Sequence, residues 1–192
     1  NYSLKKFGFQ DKSKDEVRNS VGNGLKSLVA SSLPPQTSDA LIDAVLQCMR
    51  ARYAQNYCVK TLPYPGIISM LQSLKQRGFL LGIVSNKPDA MVQLLRKRFF
   101  NDFIAVAVGE SENIPRKPAP DMVLAVLDTL ESRPSDAVYV GDTEVDLATA
   151  ANAGLPCFSV GWGFRTPEKL HSVGAERVYR TPAELQDALC IS

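Results

Sequence analysis

Residues 137–147 read Ala137-Val138-Tyr139-Val140-Gly141-Asp142-Thr143-Glu144-Val145-Asp146-Leu147, a short apolar run that leads into a carboxylate and then into a helix. The β-branched and aromatic residues of 137–140 predict a buried parallel strand, and Gly141 permits a sharp turn at its carboxyl end. Asp142 then falls where open α/β sheets keep their ligands, in the crevice beyond the strand ends. Thr143 can cap the following helix, and Asp146 lies in its first turn, where the helix dipole favours a carboxylate. Two acids four apart at such a junction suggest a cation site. The alternative is that both only cap the helix.

Outward from this stretch, strands alternate with helices. The pattern predicts a helix over 66–77, a strand over 79–84, a helix over 87–99, a strand over 104–108 and a helix over 119–130. Beyond the central stretch come a helix over 144–153 stopped by Gly154, a strand over 156–160 and a short one over 177–179. Such alternation argues for a parallel sheet covered on both faces. The first 60 residues are different. Ser13 and Glu16 form a capping-box pattern, Gly22-Asn23-Gly24 interrupts a helical stripe, Pro34-Pro35 ends it, and Ser38 opens an amphipathic helix. The fold class expected is therefore α/β, a Rossmann-like parallel sheet over 63–192 beside a small all-helical domain over 1–62.

Composition narrows the function. With 22 basic and 20 acidic residues among 192, the net charge of +2 gives no case for a nucleic-acid or membrane partner. No apolar run approaches the roughly 20 residues of a membrane helix. Cys48, Cys58, Cys157 and Cys190 lack metal-ligand spacing, which points to a reducing, cytoplasmic setting. His171 is the single histidine, so histidine-based triads and zinc sites are out of reach.

Polar residues gather at three predicted strand ends. Ser85-Asn86-Lys87 offers a hydroxyl and backbone amides at a helix start, which suit a phosphate or simply cap the helix. Arg116-Lys117-Pro118-Ala119-Pro120-Asp121 places a lysine on backbone stiffened by prolines, the alternative being a solvated lysine before a helix. Asp142 and Asp146 make the third. A cation held by oxygens beside a lysine and a serine describes a phosphate-plus-magnesium site.

In these residues the sequence resembles the haloacid dehalogenase superfamily of aspartate-nucleophile phosphohydrolases. Ile83-Val84-Ser85-Asn86 is similar to its second motif, Arg116-Lys117-Pro118 with Asp121 to its third, and Gly141 through Asp146 to its fourth. The resemblance implies that Ser85 and Asn86 bind phosphate, that Lys117 neutralises nucleophile and phosphate, that Asp142 binds Mg²⁺ and that Asp146 supports the metal. Within the superfamily, Val21-Gly22-Asn23-Gly24-Leu25 resembles the substrate-facing cap loop of phosphoglycolate phosphatases. Gly161-Trp162-Gly163-Phe164, with Leu170 and Gly174-Ala175, resembles their tail. The implied activity is Mg²⁺-dependent hydrolysis of a small phosphate ester, 2-phosphoglycolate first, by a monomer or homodimer. β-Phosphoglucomutase-like enzymes and a catalytically dead binding protein share the scaffold.

One departure matters. The superfamily's first motif, Asp-x-Asp-Gly-Thr, supplies the nucleophile and the general acid/base, and no stretch of these residues matches it. Asp11 and Asp15 precede no predicted strand, and Asp39 and Asp43 lie on a predicted helix. The motif is expected on a further central strand ahead of Asn1, between those of Val84 and Val140. A parallel sheet without its middle strand leaves two unpaired edges.

Overall fold

The structure, a computed structural model, describes residues 1–191. It divides into two compact units, Asn1–Thr61 and the remainder from Leu62.

The first unit is helical: α1 (Tyr2–Lys6), α2 (Lys14–Ser20), α3 (Gly24–Ser32) and α4 (Asp39–Asn56). The predicted capping box opens α2, with Ser13 Oγ accepting from Glu16 N at 3.2 Å and Glu16 accepting from Ser13 N at 2.8 Å. Ser38 caps α4 through Leu41 N. These helices enclose a core of Leu4, Val29, Leu33, Val45 and Leu46.

The second unit begins with α5 (Ile67–Gln76) and continues through β1 (Gly82–Pro88), α6 (Asp89–Leu95), β2 (Val106–Glu110) and α7 (Asp121–Thr129). It then runs through β3 (Tyr139–Gly141), α8 (Glu144–Ala153), β4 (Cys157–Val160), α9 (Pro167–Ser172), β5 (Val178–Tyr179) and α10 (Pro182–Ile191). All strand pairs are parallel, as the alternation predicts, but they form two ladders: β1 with β2, and β3-β4-β5 in that order. Among the described residues β1 and β3 share no ladder, so each has one unpaired edge. A core of Val123, Leu127, Tyr139, Ala150, Ala153 and Leu155 joins α7 and α8 to β3, with Val84 of β1 packed against it. No helix among the described residues is long and apolar enough to cross a membrane.

Several boundaries move, for local reasons. Ser85, Asn86 and Lys87 lie in β1 rather than at a helix start, because Pro88 pushes Lys87 out of the helical region and delays α6 to Asp89. They therefore present a strand end, not a helix N-terminus. The expected helix over 87–99 gives way to a π turn at Arg96–Phe100, where Arg96 donates to the carbonyls of Ile104 and Ala105. Pro118 and Pro120 delay α7 to Asp121. A 3₁₀ turn at Pro134–Asp136 shortens β3 to three residues. The buried strand expected over 137–140 is also half open: Val138 is 39% and Val140 43% exposed while Tyr139 between them is 7%, so one face of the run is buried and the other is not.

Candidate active site

The centre of the site is Asp146. Gly141 lets it approach the end of β3, since a Cβ on Gly141 would lie 2.2 Å from that of Asp146. Asp146 Oδ2 accepts from Asp142 N at 3.1 Å, Thr143 N at 3.0 Å and Thr143 Oγ1 at 2.7 Å. Its Oδ1 accepts from Lys117 Nζ at 2.7 Å and Tyr139 Oη at 2.9 Å. Burial alone would raise the Asp146 carboxyl. The Lys117 charge and hydrogen bond, with those of Thr143 and Tyr139, outweigh it and hold the group below the ordinary carboxylate range. The capping alternative is thus partly right, since Thr143 and Asp146 form a reciprocal capping box. The same carboxylate also binds the lysine.

Lys117 is held at both ends. Its peptide is braced by Asn86, whose Oδ1 accepts from Lys117 N at 2.8 Å and whose Nδ2 donates to Lys117 O at 3.0 Å. Asn152 Nδ2 reaches from α8 to Pro118 O at 2.8 Å. The ammonium is buried, with side-chain exposure of 11% against 8% for Asp146. Ser85, one residue before Asn86 in β1, is half-buried and its Oγ accepts from Lys87 N at 3.2 Å.

Asp142 is arranged differently. Its Oδ2 accepts from Phe164 N at 2.6 Å, and Gly163 lies so close that a Cβ there would come 2.0 Å from that oxygen. Burial, together with the neighbouring Asp146 charge, raises the Asp142 carboxyl above its ordinary range, against the Phe164 N–H and the charges of Lys117 and Arg165. The loop carrying Phe164 is tied down by Arg165, a buried guanidinium that grips Glu144 with Nε–Oε2 at 2.8 Å and Nη2–Oε1 at 2.7 Å. Trp162 packs beside Met70, Leu74 and Val160.

A divalent cation suits Asp142, a half-buried carboxylate whose charge the fold does not fully balance. Direct ligation by Asp146 would displace one of the donors on it. No group of three or more His, Cys, Asp or Glu that could hold a metal occurs among the described residues. That donor set fits a hydrated cation completed by substrate oxygens better than an all-protein cage.

Sequence reasoning brought Ser85, Asn86, Lys117, Asp142 and Asp146 to one group of strand ends, and the structure links Asn86, Lys117, Asp146 and Asp142 through direct hydrogen bonds. Gly22 and Asn23 lie in the helical unit between α2 and α3 and Gly24 opens α3, with both glycines at positive φ. Tyr139, Glu144, Arg165 and the Gly163–Phe164 contact were missed. The period-two alternation places Tyr139 on the face of Gly141, a usable signal. The stretch 161–164 stands out by resemblance, but nothing local points to the approach of Gly163 to Asp142, a residue far along the chain.

The sequence profile of haloacid dehalogenase-like hydrolases matches residues 1–160. The chain belongs to that family. Among its relatives, a phosphoglycolate phosphatase of Aquifex aeolicus is 30% identical over 184 residues, covering 95% of this chain and 83% of the relative. One of Rhodospirillum rubrum is 34% identical over 181 residues, covering 90% and 75%. The crystal structure of a provisionally named phosphoglycolate phosphatase of Lactobacillus delbrueckii superposes with a TM-score of 0.93 at 30% identity, covering 98% of this chain and 88% of the other. With these relatives the family member described here is an enzyme of the phosphoric monoester hydrolase class.

Proposed function

We propose that the protein hydrolyses a small phosphate monoester, 2-phosphoglycolate, with Mg²⁺ held at Asp142. The observation that carries this reading is the buried Lys117–Asp146 pair beside Asp142 at the ends of β1 and β3. Lys117 supplies a fixed positive charge where an anionic phosphoryl group would react, and charge placed in advance is the main source of stabilisation in such reactions. Ser85 and Asn86 receive the phosphoryl oxygens, and Asn86 also holds the Lys117 peptide in register. Asp146 orients the ammonium, and Phe164 N–H with Gly163 orients Asp142. Bound Mg²⁺ would polarise the phosphoryl oxygens and offset their charge.

The nucleophile of this reaction is an aspartate carboxylate, as the family resemblance implies. Its oxygen bonds to phosphorus as the ester P–O bond breaks and glycolate leaves with a proton from a general acid, and water then cleaves the acyl phosphate, returning a proton to that group and releasing phosphate and the free aspartate. The helical unit, residues 1–62, carries Gly22-Asn23-Gly24, whose backbone amides suit the glycolate carboxylate. The four cysteines, all unpaired, favour a reducing cytoplasm. Magnesium-dependent hydrolysis of 2-phosphoglycolate by the full-length gene product, abolished by Asp142→Asn, is the expected result. Retained magnesium-dependent turnover in that variant refutes the reading.

A further inference from the structure

Tyr139 belongs to none of the motif positions, yet its hydroxyl stands in the middle of the charged cluster. The residue is 7% exposed, and its ring is fixed in the core with Val123 and Leu127 of α7 and Ala150 and Ala153 of α8. Its hydroxyl donates to Asp146 Oδ1 at 2.9 Å and accepts from Lys117 Nζ at 3.0 Å, while Lys117 Nζ donates to the same Oδ1 at 2.7 Å. Three polar atoms therefore close a triangle, and the ammonium also lies 5.7 Å from the ring centroid. A phenylalanine would fill this core equally well. Burying a phenol carries a desolvation cost unless its hydroxyl is bonded, so the choice of tyrosine calls for a role at the polar tip.

That role follows from the geometry of an ammonium. Held by one carboxylate oxygen, Lys117 could swing about it on a flexible four-carbon stem. A second contact, to a hydroxyl anchored in packed core, removes that freedom. The two acceptors lie 2.9 Å from each other on one side of the nitrogen, so the ammonium is fixed from that side and its outward N–H bonds keep a set direction toward an incoming oxyanion. We propose that Tyr139 is a positioning residue for phosphoryl transfer, its hydroxyl locking the Lys117 ammonium against Asp146 so that its outward face meets a phosphoryl oxygen. The inference rests on the phosphatase reading above, and the two can fail separately.

The test is Tyr139→Phe in the full-length gene product, with kcat and KM measured on 2-phosphoglycolate and the lysine ammonium protons followed by ¹H–¹⁵N NMR. The wild-type protein should give a slowly exchanging ammonium signal that Lys117→Arg abolishes. In Tyr139→Phe that signal is lost, and kcat falls roughly 10- to 100-fold, the usual effect of removing a group that orients a catalytic one. KM should stay within about twofold and the melting temperature near that of the wild type. Tyr139→Met removes the hydroxyl with a different side chain and must give the same pattern. An unchanged kcat overturns the inference, as does a retained ammonium signal in either variant, its absence in the wild type, or a raised KM with kcat intact. If the wild-type protein hydrolyses no phosphate ester, the functional reading fails. The ammonium signal then decides the tyrosine's role: loss on removing the hydroxyl supports it, retention overturns it.

Discussion

Phe164 N donates to Asp142 Oδ2 at 2.6 Å, so a backbone amide 22 residues further along the chain sets the direction of the acid proposed to hold the cation. The contact requires the close approach of Gly163, and Arg165 secures the same loop to Glu144. Asp142 is thus positioned from outside its own strand-to-helix turn.

Gly163→Ala tests that relationship. The added methyl would lie 2.0 Å from Asp142 Oδ2, so the carboxylate or the loop must shift. Activity and Mg²⁺ affinity are expected to fall by roughly 10- to 100-fold, as for loss of an orienting partner. Titration calorimetry with Mg²⁺ and steady-state kinetics measure both.

Asp142→Asn should stabilise the fold while abolishing turnover. The Asp142 carboxyl is raised by burial and by Asp146, so its ionised form destabilises the folded state fully above the folded-state pKa, and this penalty fades as the pH falls from there and is gone below the ordinary unfolded-state value. The uncharged amide can still accept from Phe164. Melting temperatures should be higher for the variant at pH 7 and converge with the wild type in acid, and added Mg²⁺ should raise only the wild type.

Lys117→Met leaves the Asp146 carboxylate buried without its cation, at a cost of about 3–5 kcal/mol. Asp146 is held below its ordinary range, so the pair's contribution is present above the unfolded-state carboxylate pKa and lost as the pH falls through the lower folded value. Urea denaturation should therefore show a large difference between wild type and variant at pH 7 and a smaller one in strong acid.

In the helical unit, Ser13→Ala removes one half of the capping box that opens α2. The expected loss is about 1 kcal/mol, with the core site of the second unit unaffected. Chemical denaturation monitored by far-UV circular dichroism measures it, and Ser13→Asp should restore most of the loss.

Local chemistry determined much of this protein. The Ser13–Glu16 box, the Thr143 cap, the Gly154 stop and the alternation of strands with helices are short-range rules, and they were legible because their energies act within a few residues. The order of Ser85, Lys117, Asp142 and Asp146 along the chain likewise pointed to a phosphate and a cation. Tertiary structure decided how those residues divide the work. Asp146 faces Lys117 and Tyr139, while Asp142 faces Phe164, and nothing in the run 141–146 names those partners. Asn86 braces the Lys117 peptide 31 residues away. The separate ladders also depend on which strand edges find partners in space. The physical reason is common to all of these: caps and turns are satisfied by neighbours in sequence, whereas a buried charge or a strand edge is satisfied by whatever the fold brings beside it.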